Sequence, residues 1–237
     1  MMGLLRFLVG LLLLPVCVAA TQTLMALAAA VRPESTAFLP PSTLALGGGY
    51  VLWLVMYYTL PKPFRTYVLA HELTHALWGT MMGARVLRMS VSKSRGSVTL
   101  TKNNFLITLA PYFFPLYTVL LVVGYYVLGA FFDIARYNLV WLALVGFTWG
   151  FHFTFTIGSL MQHQSDIHLY GRVFSYAVIY LFNVAGVCLW VVLVSSPRMA
   201  EFWAFAGFYL REMGHASWHA TRDGYHWASQ YFSGAVR

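Results

Sequence analysis

The residues best suited to chemistry are His71, Glu72 and His75 in the run His71-Glu72-Leu73-Thr74-His75. On a helix, two histidines four apart share one face about 6 Å apart along the axis, a spacing at which two imidazoles bind a single Zn²⁺. Glu72 then stands beside the metal rather than on it. From there a carboxylate takes a proton from zinc-bound water, whose pKa the metal lowers to roughly 7, and passes it to a leaving amine. That is a hydrolase arrangement. The pattern fixes few positions and arises by chance in soluble helices, but here it lies mid-way along an apolar stretch, between Tyr67-Val68-Leu69-Ala70 and Ala76-Leu77-Trp78. Ionisable groups in lipid are costly unless paired or metal-bound, so their default reading is functional.

Two other polar features lie further along the chain. Asn183 falls in an apolar run, where it could orient a ligand or a substrate carbonyl, although interhelical hydrogen bonding is the commoner use. His215 and His219 repeat the four-residue spacing and are followed by His226. A second metal site is one reading of them. Trp203, Phe208, Trp218, Trp227 and Tyr231 favour the other, an interfacial amphipathic segment with aromatic anchors.

The elements that must position these residues follow from composition. A chain of 237 residues that is 59% hydrophobic and 9% charged cannot hide its apolar side chains in a soluble core, so most must face lipid. Apolar runs of spanning length occur near Leu4–Val31, Leu44–Leu60, Phe64–Met82, Phe105–Phe132, Tyr137–Leu160 and Val173–Val194. The expected fold is therefore an all-α polytopic membrane protein with about six transmembrane helices. Arg6 ahead of a stretch ending Val18-Ala19-Ala20 has the form of a secretory signal, but apolar character continues through Leu24–Val31 and favours an uncleaved span. Cys17 and Cys188 both fall in expected spans and indicate neither a disulfide framework nor a thiolate metal site. After the histidine motif, residues 86–102 alternate apolar and polar on both sides of Arg95-Gly96, which predicts a β-hairpin. With no internal repeat or linker, the simplest parse is one membrane domain over 1–196 and an interfacial or polar tail over 197–237. The formal charge of +8 comes from residues scattered over interhelical loops, which fits anchoring to anionic lipid and not nucleic-acid binding.

The motif His71–His75 with Ala76-Leu77, then Gly83-Ala84-Arg85-Val86 and a hairpin ending Gly96-Ser97-Val98-Thr99-Leu100, resembles the site-2 protease family of intramembrane zinc peptidases, in a compact form without a PDZ domain. The resemblance covers about residues 66–115. It implies Zn²⁺ as cofactor, Glu72 as general base, a transmembrane or membrane-associated protein as substrate, and an aspartate from a later segment as third ligand. Asp166, in Gln164-Ser165-Asp166-Ile167, would fill that role. If the fifth span runs straight from Tyr137, however, His152 is closer in depth to the two histidines. His152 and Asp166 stand about 21 Å apart on an uninterrupted helix, so one metal binds both only if the backbone breaks, for instance at Gly158 or Gln162-His163-Gln164. His163, three residues before Asp166, is expected as a partner of a ligand or as a solvated loop residue. Competing readings are a membrane di-iron hydroxylase or desaturase, which also uses histidine boxes but has no need of Glu72, and a non-catalytic metal-binding membrane protein. The expected location is a membrane, with compact size pointing to a bacterial plasma membrane.

Overall fold

The computed structural model describes residues 2–32, 40–92, 95–162 and 164–234. Nine α-helices and one two-stranded sheet are present among them, and the chain packs as two compact units, residues 1–32 with 171–237 and residues 33–170.

The first unit comprises α1 (Met2–Ala30), α8 (Arg172–Val194) and α9 (Met199–Gly234). Helices α1 and α8 approach so closely that a Cβ on Gly10 would overlap the Phe174 backbone. Thr21 and Tyr180 are joined by a 2.7 Å hydroxyl contact, and buried Leu27, Val184 and Cys188 form a core into which Phe202 and Phe205 of α9 pack. The segment expected as a tail is thus one helix of 36 residues whose first turns belong to this core.

The second unit holds α2 (Pro41–Thr59), α3 (Phe64–Met81), β1 (Val86–Val91), β2 (Gly96–Leu100), α4 (Phe105–Leu109), α5 (Leu116–Gly129), α6 (Asn138–Leu160) and α7 (Ser165–Tyr170). Glycines allow α2 and α6 to touch backbone to backbone: a Cβ on Gly49 would overlap Ala143, and one on Gly146 would overlap Leu46. Such close approach through small residues is the usual way apolar helices gain packing energy without a hydrophobic drive between them. Trp53 seals the contact, its indole donating to Thr154 Oγ1 at 2.9 Å and its ring lying against Phe147 and Phe151. Helix α3 ends where Gly83 takes φ 77° and Ala84 N–H reaches back to Gly79 at 2.8 Å, a glycine stop that turns the chain into β1.

Two expectations need correction. Three helical segments are long and apolar enough to cross a membrane, Met2–Ala30, Ala135–Leu160 and Arg172–Val194. A fourth arises if the bent pair Phe105–Tyr112 and Leu116–Gly129 is counted as one span, so six are not supported. Helices α2 and α3 exist at the expected places but are too polar to qualify, α3 because it carries Arg65, His71, Glu72 and His75. The run 105–132 is not one helix, since it bends by 82° around Phe113–Pro115. Pro115 lacks an N–H and holds its predecessor out of helical geometry. These features are compatible with a membrane protein.

Candidate metal centre

Helix α3 presents His71 and His75 from successive turns, and α7 brings Asp166 to them from its first turn. One carboxylate oxygen, Asp166 Oδ2, lies 3.3 Å from His71 Nε2 and 3.6 Å from His75 Nε2. The potential ligand atoms of these three residues all lie within 4.8 Å of one another, and among the described residues no other group of three or more histidine, cysteine and acidic side chains converges in this way. A tetrahedral zinc with ligands at about 2.0–2.2 Å separates neighbouring ligand atoms by roughly 3.3–3.6 Å. The two measured spacings match that edge length.

Each ligand candidate is steered from behind. His75 Nδ1 donates to the Ile107 carbonyl at 2.8 Å, and since a carbonyl only accepts, the proton sits on Nδ1 and leaves Nε2 facing Asp166. His71 Nδ1 meets the Tyr67 hydroxyl at 3.3 Å, and Tyr67 is joined in turn to Ser159 of α6 at 2.6 Å. Tyr67 is further fixed by stacking on Phe155 at 4.7 Å. The Tyr112 hydroxyl donates to Asp166 Oδ2 at 3.1 Å while its ring packs edge-on against His71. Outer partners of this kind set ring orientation and tautomer. Burial alone would push the Asp166 carboxyl up, but the two imidazoles on its oxygen outweigh that and hold it below the usual carboxylate range.

Glu72 is buried, 7% exposed, next to His71 along α3. Its carboxylate makes no hydrogen bond or ion pair with another described residue, which leaves its oxygens open to accept a proton. The hairpin covers it. Strands β1 and β2 pair antiparallel with Val91 opposite Gly96 and Met89 opposite Val98, and a Cβ added to Gly96 would sit 2.5 Å from Glu72 Cγ and Oε1. Gly96 is thus glycine to let a strand lie on the Glu72 side chain; it does not take positive φ, which among the described residues only Gly83 and Gly171 do.

The structure brings His71, His75 and Asp166 together and leaves His152 outside the group. The reason is a break: α6 ends at Leu160 and α7 starts afresh at Ser165, so Asp166 is not carried away on a straight helix. His152 is buried on α6 and lines, with His71, a cavity of about 20 Å³, room for about one water. His163 lies outside the described residues. Asn183 belongs to α8 in the other unit, where its amide donates to Ile179 of the same helix at 2.8 Å. Reading the sequence did not single out Tyr67, Tyr112 or Ser159. Tyr67 carried a signal, being four residues before His71 on the same helical face; Tyr112 and Ser159 carried none.

No family model, curated protein or solved structure matches the chain.

Proposed function

We propose that the chain is an integral, multi-pass membrane zinc metallopeptidase that hydrolyses peptide bonds of membrane-embedded protein substrates. The observation that carries the reading is the convergence of His71 and His75 on one oxygen of Asp166, at 3.3 and 3.6 Å, with the buried carboxylate of Glu72, which makes no hydrogen bond to another described residue, alongside. A structural site would have no use for that carboxylate.

His71 and His75 would each supply Nε2 and Asp166 an oxygen to Zn²⁺, which when bound lowers the pKa of water and polarises a peptide carbonyl. Ile107, Tyr67 and Tyr112 hold the three ligands in place through the contacts described above. Glu72 accepts the proton of the attacking water and delivers it to the leaving nitrogen. A substrate helix must unwind before its carbonyl can be reached, and the β-hairpin offers a strand edge next to Glu72 on which an extended segment can be held by main-chain hydrogen bonds.

The test is metal analysis of purified protein together with a Glu72→Gln variant. Stoichiometric zinc in both proteins, with cleavage present only in the wild type, is expected. Cleavage that survives Glu72→Gln would end the peptidase reading, and iron in place of zinc would move the protein to the oxidase class.

A further inference from the structure

Outside this centre, the densest set of metal-ligating side chains lies on α9. Glu212, His215, His219, Asp223 and His226 follow one another at intervals of three or four residues along one continuous helix, and all of them are exposed. At about 100° per residue they fall within an arc of roughly 80°. Phe202, Ala206 and Leu210, the α9 side chains that line the cavity against α1 and α8, lie about 80–160° round from Glu212, so the polar ridge faces away from the packed side.

The members of the ridge are not equally available. Asp223 is taken up by Arg222 at 3.1 Å, and His226 lies against the Tyr225 ring. The side chains of Glu212, His215 and His219 make no hydrogen bond, ion pair or ring contact with other described residues. His215 and His219 have the same four-residue spacing that places the imidazole nitrogens of His71 and His75 within 4.8 Å of each other on α3.

We propose that His215 and His219 form a two-imidazole metal site on α9 that takes a divalent transition-metal ion with imidazole preference, Cu²⁺ ahead of Ni²⁺ or Zn²⁺. Two imidazoles at this spacing chelate such ions, whose affinity for nitrogen ligands follows the Irving–Williams order. Exposure leaves the remaining positions to water, so the ion is exchangeable, in contrast to a buried centre.

The experiment uses the purified full chain in detergent, titrated with Cu²⁺ alone and followed by electron paramagnetic resonance. The wild type and a His71→Ala/His75→Ala variant should both give a signal with two-nitrogen coordination. Adding His215→Ala/His219→Ala in the His71→Ala/His75→Ala background should abolish it while keeping the helical circular dichroism, because alanine is the better helix former at an exposed position. A protein carrying all four substitutions that still gave the two-nitrogen signal at the same Cu²⁺ concentration would overturn the proposal. The His71→Ala/His75→Ala arm separates this result from any failure of the peptidase centre.

Discussion

Replacing Gly96 with alanine asks whether the hairpin governs the base. The new Cβ would stand 2.5 Å from Glu72 Cγ and Oε1 and 2.7 Å from Val68 Cγ1. Carbon atoms in contact prefer about 3.5–4.0 Å, so the overlap is on the order of 1 Å. Either β2 lifts off α3 or the Glu72 carboxylate swings aside. A displacement of about 1 Å in a reacting group costs on the order of 100-fold in rate, equivalent to about 2.7 kcal/mol of transition-state free energy. Overpacking of this kind costs about 1–3 kcal/mol in stability, so the fold should survive. The atoms nearest the new Cβ belong to Glu72 and Val68 and not to His71, His75 or Asp166, so zinc content should be unchanged. Cleavage of a tagged single-span reporter, measured beside zinc content, reads both effects. In a Glu72→Gln background Gly96→Ala should add no further loss. Full activity of Gly96→Ala with full zinc would refute the idea that the strand positions Glu72.

Tyr112→Phe removes the 3.1 Å hydroxyl contact to Asp166 but keeps the ring, so zinc affinity measured by chelator competition should fall about 10–100-fold with little change in thermal stability. Ser92 N–H bonds to Arg95 O at 2.8 Å, and alternation from that pair turns the Met89 N–H away from β2. Met89→Pro should therefore keep the hairpin and the zinc while abolishing reporter cleavage if an added substrate strand pairs there, and unchanged cleavage would remove the strand-capture step. Gly146→Leu should separate α2 from α6 and lower the melting temperature of the detergent-solubilised protein, whereas Gly124→Ala, which meets open space, should not.

How much of this could be read from the chain depends on whether the deciding interaction is local. His71 and His75 are paired by helix geometry alone, and residues 86–102 alternate as a hairpin must, so both were legible. Gly96 was visible but looked like turn punctuation, because nothing in a linear pattern shows that Glu72 lies beneath it. Asp166 could be reached only through a family resemblance. The break between Leu160 and Ser165 that delivers it depends on tertiary packing, and a continuous helix to that point would have favoured His152. The bend at Phe113–Pro115 had a local cause in Pro111 and Pro115, which long apolar runs on either side concealed. Counting spans by apolar length overstated α3, where the chemistry-bearing residues themselves lower the hydropathy.

The decisive residue is the one that completes the centre beside His71 and His75. Zinc content should be measured for the wild type, Asp166→Ala and His152→Ala, each carrying His215→Ala/His219→Ala so that α9 does not contribute. The geometry predicts about one zinc per chain in the wild type and in His152→Ala, and loss of zinc in Asp166→Ala. Zinc retained by Asp166→Ala and lost from His152→Ala would contradict it.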